Sequence, residues 1–154
     1  MENKTPKKWT KENVKLNIET YCVYQERCHE EVRSKLLNHG IYGEFLEEII
    51  SDLIENNYLN EERFAIQFAG GKFRMKKWGK VKIKQALLIK KVSAYSVREA
   101  LSRIGDEEYL QSIKYWIEKR GGIRGNEAYE EKMELIRFLQ SKGFEMEWIN
   151  MAME

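Results

Sequence analysis

The chain has 154 residues, of which 42% are hydrophobic and 34% are charged, and it contains four Trp, eight Tyr and six Phe. This composition excludes a disordered chain and indicates a folded protein with a buried core. Because 27 basic residues stand against 25 acidic ones, the total charge says little about partners, and the distribution of charge along the chain is more informative.

The sequence shows neither a membrane span nor a secretion signal. No apolar run approaches the roughly 18 to 20 residues that cross a bilayer, and the first residues, MENKTPKKW, lack the apolar segment of a signal peptide. We therefore expect a cytoplasmic protein without a membrane partner.

Two cysteines, Cys22 and Cys28, are too few for a disulfide framework, and we expect both to be free thiols. His29 lies beside them, but the sequence has no second cluster of ligands that would complete a tetrahedral metal site. We expect no metal and no other cofactor.

Helix is the regular structure that the apolar pattern predicts. The single proline, Pro6, precedes every candidate helix, and no segment alternates apolar and polar residues over a strand length. Residues 1–9 are polar and rich in lysine, which is typical of a disordered tail. Thr10 is a candidate N-cap, followed by Val14 and Ile18 at helical spacing.

Further helices follow in chain order. Gly40 is placed to end one of them in a left-handed conformation. The segment from Phe45 to Ile54 carries an i, i+3, i+4 apolar stripe, and Asn60 is a candidate cap for the helix that runs toward Trp78. The chain is therefore predicted to be all-α.

Six positions recur twice along the chain. The first set is Leu36, Gly40, Ile41, Leu46, Ile49 and Ile50; the second, 51 residues later, is Leu87, Lys91, Val92, Val97, Ala100 and Leu101; the third, 52 residues further on, is Leu139, Gly143, Phe144, Ile149, Ala152 and Met153. Five of these columns are apolar in all three copies, and the sixth falls at a turn between helices. The spacing predicts three tandem three-helix repeats, 10–56, 57–104 and 105–154, stacked in an elongated, curved array.

Charge is sorted into blocks in the middle of the chain. Residues 63–98 contain eleven Lys or Arg and no acidic residue, whereas residues 36–62 contain seven Asp or Glu and no basic residue. Such a basic segment is either a solvated face or a contact for a polyanion or an acidic protein surface. The candidate contact residues are Lys72, Arg74, Lys76, Lys77, Lys80, Lys82, Lys84, Lys90 and Lys91. Because they lie on helices, they cannot all face one way, and about half should form the contact.

One segment carries a family resemblance. Residues 57–65, Asn-Tyr-Leu-Asn-Glu-Glu-Arg-Phe-Ala, resemble Gly-Tyr-Leu-Asp-Asp-x-Arg-Phe-Ala, the signature of the RecX family of bacterial regulators of the recombinase RecA. The matching residues are Tyr58, Leu59, Arg63, Phe64 and Ala65. Lys91 departs from the family, which usually has glycine at that turn, and Cys28 stands where a capping serine is common.

The resemblance continues over nearly the whole chain from about residue 15. The further matching residues are Gln25, Arg27, Glu30, Glu31, Val32, Leu36, Arg74, Gly79, Leu87, Lys90, Val97, Ala100, Leu101, Leu139, Lys142, Gly143, Phe144 and Ile149. It implies three three-helix units and a regulator, not an enzyme, that binds the RecA filament on DNA along its groove. It also implies lower ATPase, strand-exchange and coprotease activities of the recombinase, within DNA recombination, repair and the SOS response.

The signature residues have mainly structural roles by their spacing. Tyr58, Leu59, Phe64 and Ala65 sit at a helix start with apolar spacing and are predicted core residues. Arg63 is predicted to pair with Glu61, Glu62 or an acidic residue of the preceding helix more readily than with a ligand.

Two other functions compete with filament regulation. An enzyme is disfavoured because the sequence has no Gly-rich phosphate loop, nucleophile motif or metal constellation. A general nucleic-acid-binding helical protein would use the same basic residues on the DNA phosphate backbone without a recombinase. Residues 81–90 and 95–103 also outline a helix-turn-helix, but without a clear polar recognition face this is weak support for sequence-specific reading. We expect a monomer.

Overall fold

The structure is a computed structural model that describes residues 5–154, and all regular structure in this part of the chain is helical. Residues 5–154 form nine α-helices: α1 (Val14–Tyr24), α2 (His29–Asn38), α3 (Gly43–Glu55), α4 (Glu61–Gly71), α5 (Lys80–Ile89), α6 (Ala94–Ser102), α7 (Asp106–Lys119), α8 (Tyr129–Ser141) and α9 (Met146–Met153). A π-helical segment, Lys72–Lys76, extends α4. The predicted all-α class is confirmed. None of the helices described is both long and apolar enough to cross a membrane.

The helices form three units of three, α1–α3, α4–α6 and α7–α9. Leu36, Leu87 and Leu139, which form one column of the sequence repeat, are each fully buried. The next apolar column, Ile41, Val92 and Phe144, is buried as well. The apolar columns of the three-helix repeat inferred from spacing therefore lie in the core of the fold.

Polar side chains mark where the helices begin. The Asn60 side chain accepts a hydrogen bond from the Arg63 N–H at 2.9 Å, which caps α4 as predicted. The first helix spans Val14–Tyr24, and Thr10 caps the turn that leads into it, since the Val14 N–H donates to the Thr10 carbonyl at 3.0 Å. The Thr10 N–H donates to Asn13 Oδ1 at 2.8 Å, and the Asn13 N–H donates to Thr10 Oγ1 at 3.2 Å.

Two separate apolar cores lie inside the array. The first core is built from α1–α3 and also contains Tyr58 and Leu59, which follow α3. The second core is shared by the second and third units, and Cys28 at the start of α2 reaches into it. Units two and three thus form one hydrophobic body, which we call the double unit, while unit one has a core of its own.

Backbone contacts the backbone where the second and third units meet. The Gly79 N–H donates to the Lys142 carbonyl at 2.7 Å, and the Val81 N–H donates to the Gly143 carbonyl at 3.0 Å. A Cβ on Gly79 would lie 2.2 Å from the carbonyl carbon of Gly143. The first turn of α5 therefore docks against the end of α8, and its free N–H groups meet the free carbonyls there.

Tyr109 crosses the same junction. Its hydroxyl accepts a hydrogen bond from the Lys80 N–H at 2.9 Å and donates to the Glu145 carboxylate. Burial raises the pKa of Tyr109 above its ordinary value, with the bond to Glu145 as the second cause. The phenol thus stays protonated and holds α5, α7 and the start of α9 together.

Side chains carry the junction between the first and second units. Arg63 Nε lies 2.5 Å from a carboxylate oxygen of Glu26, and Lys91 Nζ lies 3.7 Å from Glu30. Lys91 adopts the left-handed conformation, φ 60°, that glycine usually supplies at this turn. The turn is therefore kept without glycine.

Residues 7–9 lie against the first unit and are not free of it. The Trp9 N–H donates to the His39 carbonyl at 2.9 Å, and the two rings stack with centroids 3.9 Å apart. The stem of Lys8 covers Gly40. Residues 1–4 of the tail predicted over 1–9 lie outside the described residues.

Candidate functional site

The basic segment, residues 63–98, folds into most of α4, the π-helical segment that extends it, the whole of α5 and the first half of α6. Over Lys72–Lys76 the helix widens to π geometry, and Lys77 then ends it with a left-handed φ of 52°. Single π turns inside helices are frequent at functional sites. The change of geometry brings Trp78 to the start of α5.

Lysine ammonium groups lie over aromatic rings along this segment. Lys72 and Lys82 lie 5.1 Å and 4.7 Å from the Trp78 ring. Lys72 and Lys90 lie 5.5 Å and 5.8 Å from the ring of Phe68. These distances are within the range of cation–π attraction.

The same arrangement continues into the third unit. Lys142 lies 4.5 Å from the Trp116 ring, and Lys119 lies 5.4 Å from it. Trp116 Nε1 donates to the Lys77 carbonyl at 2.9 Å, which joins the two units at this surface. Arg120 lies 4.0 Å from the ring of Phe138.

We call this surface the cation–aromatic face. It comprises Phe68, Lys72, Lys77, Trp78, Lys82, Lys90, Tyr115, Trp116, Lys119, Arg120, Phe138 and Lys142. The face runs across the junction of the double unit, so its shape depends on how those two units are joined.

Five of the nine candidate contact residues lie on or beside this face. Four belong to it: Lys72, Lys77, Lys82 and Lys90. Lys80 lies 5.1 Å from the Tyr109 ring, next to the junction.

The other four candidates lie elsewhere. Lys76 and Lys84 are exposed to solvent. The Arg74 guanidinium folds back on Gly70, where an added Cβ would lie 2.8 Å from it. Lys91 is directed to Glu30. A high density of lysine in the sequence therefore did not identify a single surface.

The sequence reasoning missed three basic residues of the face, Lys119, Arg120 and Lys142, and all of its aromatic residues. The three basic residues lie outside the basic segment, in a unit with mixed charge. The repeat register held a signal for one of them, because Lys142 follows Lys90 by 52 residues, the same offset as the apolar columns. Trp116 gave no such signal, since its contact with Lys77 depends on how the units pack.

The signature residues lie at the joint between the two cores. Tyr58 and Leu59 pack in the first core, whereas Phe64 and Ala65 pack in the second. Arg63 lies between them and pairs with Glu26, in the connection between α1 and α2, instead of Glu61 or Glu62. These side chains hold the array together and do not extend the cation–aromatic face.

The chemistry of the face suits an anionic partner with flat groups. Its ammonium and guanidinium groups can neutralise phosphates, while its aromatic rings can stack with bases. Among the described residues no group of three or more His, Cys, Asp or Glu could hold a metal ion. Cys22 and Cys28 are unpaired and buried.

Two family profiles match the chain. One describes the second three-helix domain of RecX and matches residues 60–101. The other describes the third three-helix domain of RecX and matches residues 106–153. These ranges contain α4–α6 and α7–α9, nearly the whole of the double unit.

Curated relatives show the same similarity. The regulatory protein RecX of Lactococcus lactis is 30% identical over 142 residues, which is 87% of this chain and 51% of that protein. The regulatory protein RecX of Clostridium perfringens is 34% identical over 127 residues, 80% of this chain and 59% of that protein. The chain thus spans about half the length of the curated relatives it matches.

A solved structure shares the fold. The crystal structure of RecX from Lactobacillus salivarius superposes with a TM-score of 0.79 at 24% identity, over 90% of each chain. Together with the two domain matches and the three-helix repeat, this agreement leads to one conclusion. The chain belongs to the RecX family.

Proposed function

We propose that this chain binds the RecA recombinase filament on DNA and lowers its ATPase, strand-exchange and coprotease activities. The observation that carries the proposal is the cation–aromatic face, which crosses the double unit of a chain whose relatives are called regulatory proteins. The family resemblance supplies the recombinase as partner, and the face supplies a surface for DNA. We propose a role in the cytoplasm as a monomer, without catalysis.

The physical properties of the face support this role. A filament on DNA exposes phosphates beside protein, so that a ligand needs cationic groups and a surface of mixed charge together. On this chain the lysines at Trp78 and Trp116 supply the cationic groups. The acidic first turn of α7 nearby, Asp106 to Glu108, contributes to the mixed charge.

A second function is favoured by the aromatic rings. Bases of single-stranded nucleic acid stack on such rings without sequence preference, so a general nucleic-acid-binding protein without a recombinase partner would use the same face. The two functions differ in what they require. A plain binder should hold bare DNA well at physiological salt, whereas a filament regulator should need the recombinase.

The test is a recombinase ATPase assay on single-stranded DNA with this chain at substoichiometric amounts. The variant Lys72→Gln, Lys82→Gln and Lys142→Gln removes three charges from the face and keeps a polar side chain at each position. The control variant Lys15→Gln, Lys114→Gln and Lys132→Gln removes three exposed charges elsewhere. We expect the native chain and the control to inhibit equally and the face variant to inhibit weakly.

Binding of the face variant to the filament should also depend less on salt concentration than binding of the native chain. Loss of three phosphate contacts should reduce the slope of log affinity against log salt by about 2, at roughly 0.7 per contact on single strands. Equal inhibition by the two variants would contradict a role for the face. Absence of inhibition by the native chain, with tight binding to bare DNA, would favour the second function.

A further inference from the structure

The chain crosses from one core to the other within the signature segment. Tyr58 and Leu59 are fixed in the first core, and five residues later Phe64 and Ala65 are fixed in the second. Asn60, which caps α4, lies between these two pairs. The direction in which the first unit leaves the double unit is therefore set over a few residues.

Arg63 reaches back from α4 to two separate parts of the first unit. Its Nε donates to Glu26 Oε1 at 2.5 Å, in the connection between α1 and α2. Its two terminal nitrogens donate to the side chain and the carbonyl of Asn57, at 3.2 Å and 3.0 Å. Asn57 follows α3 and has a left-handed φ of 64°. The planar Arg63 guanidinium thus binds two parts of the first unit at once, the connection between α1 and α2 and the residue that follows α3.

Glu26 depends on this contact. Its second carboxylate oxygen is buried and has no hydrogen-bond partner among the described residues. The Glu26 side chain is 23% exposed and that of Arg63 is 38% exposed. The pair is consequently the main compensation for the Glu26 charge, and salt in the solvent can still weaken it.

Within residues 5–154, no other contact at this junction has two or more hydrogen bonds from one side chain. Lys91 and Glu30 are more exposed and further apart. The Glu61 carboxylate accepts the Ser93 N–H within the second unit, so it does not reach the first. Cys28 packs across the junction, but an apolar contact is non-directional and does not fix the orientation of the first unit.

We propose that Arg63 is a positioning residue that fixes the orientation of the first unit on the double unit, and that the first unit swings as a body when this contact is lost. The residue would act on the geometry of the array and not on the partner directly. This inference does not rest on the proposed function, because it concerns the free chain.

The test is a distance measurement by pulsed electron paramagnetic resonance. Spin labels are placed at Thr20→Cys on α1 and Lys132→Cys on α8, two exposed positions in the first and third units. The native Cys22 and Cys28 are 5% and 1% exposed, and Cys22→Ala and Cys28→Ser remove both thiols from the labelled chain and all its variants, so that only the introduced cysteines carry labels. The native pair should give one narrow distance distribution.

Arg63→Met in this labelled chain should broaden that distribution and shift its mean by more than the native width. Arg63→Lys should restore it in part, because lysine can meet Glu26 but has no fork for Asn57. High salt should broaden the native distribution and leave that of Arg63→Met unchanged. The control is Arg33→Met, which removes an exposed pair with Glu47 inside the first unit and should change nothing.

Circular dichroism separates a moved unit from an unfolded one. If Arg63→Met loses helix, Glu26→Gln replaces it, because an amide keeps the hydrogen bond and removes the charge; a broadened distribution with native helix content would support the proposal. An unchanged distribution in a folded Arg63→Met or Glu26→Gln chain would overturn it. So would equal broadening by Arg33→Met.

Discussion

At the junction between the second and third units, main-chain groups bind each other directly and a single apolar core continues across. At the junction between the first and second units, an ion pair at Arg63, a second one at Lys91 and the packing of Cys28 into the second core join two separate cores. The units themselves repeat the same three helices, so the difference lies in the residues that meet.

The repeat register identifies those residues. Gly79 and Gly143 meet at the tighter junction, and the corresponding positions one unit earlier are Cys28 and Lys91. The space between Gly79 and Gly143 does not admit a single Cβ, so Cys28 and Lys91 could not make the same close approach of two main chains. Two glycines therefore allow direct main-chain contact at one junction, whereas the other junction is joined by side chains.

The largest expected effect comes from filling the tight junction. Gly79→Ala would place a Cβ 2.2 Å from the Gly143 carbonyl carbon, so the two units must separate. We expect a loss of about 3 kcal/mol in the free energy of unfolding, which thermal and urea denaturation would measure.

Gly71→Ala is the matched control for that change. A Cβ on Gly71 meets nothing within 4 Å, at the end of α4. Alanine should therefore stabilise the helix by about 0.5 to 1 kcal/mol. If both alanine variants were equally stable, the close approach of the two main chains would not hold the junction together.

Removal of one hydroxyl should give the next largest effect. Tyr109→Phe leaves the Lys80 N–H without its acceptor and Glu145 without its donor. We expect a loss of about 1 to 3 kcal/mol in the free energy of unfolding, because buried polar groups would lose their partners. Tyr24→Phe, at a residue that is 82% exposed, should stay within about 0.5 kcal/mol of the native chain. A loss no larger than that of Tyr24→Phe would show that the Tyr109 hydroxyl adds nothing to this junction.

The smallest perturbation changes no residue and uses the two thiols as reporters. Burial raises the pKa of Cys22 and of Cys28 from 9.0 to about 11, so at neutral pH both are protonated and react only when they become exposed. Cys22 lies in the first core, whereas Cys28 is covered across the looser junction. We expect a thiol reagent to modify Cys28 faster than Cys22, with peptide mass spectrometry to assign the sites.

A further measurement sharpens the thiol comparison. Arg63→Met should speed the reaction of Cys28 and leave that of Cys22 unchanged; equal acceleration of both would mean that the whole array opens at once.

The raised pKa values of the two thiols also make the stability of the folded chain depend on pH. Their contribution to stability is complete below pH 9 and is lost as the pH rises toward 11, since the unfolded thiols ionise first.

The sequence predicted the repeat and its core because each apolar column is visible as apolar residues at a fixed spacing in all three copies. It could not predict that Arg63 meets Glu26, since that contact depends on the left-handed turn at Asn57 and on the path between α1 and α2. The cation–aromatic face was predicted in part for a similar reason. A run of lysines is visible in the sequence, but the convergence of Lys82 and Lys142 on one surface is created by the docking of Gly79 on Gly143.

The segment ahead of α1 has a consequence for the number of units. Trp9 donates its N–H to the carbonyl of His39, and Gly79 donates its N–H to the carbonyl of Lys142, which occupies the same repeat position 103 residues later. Residues 7–9 therefore take the place that a neighbouring unit takes at the tight junction. The His39 carbonyl, which a unit stacked in the same way would use, is thus already bound by the Trp9 N–H.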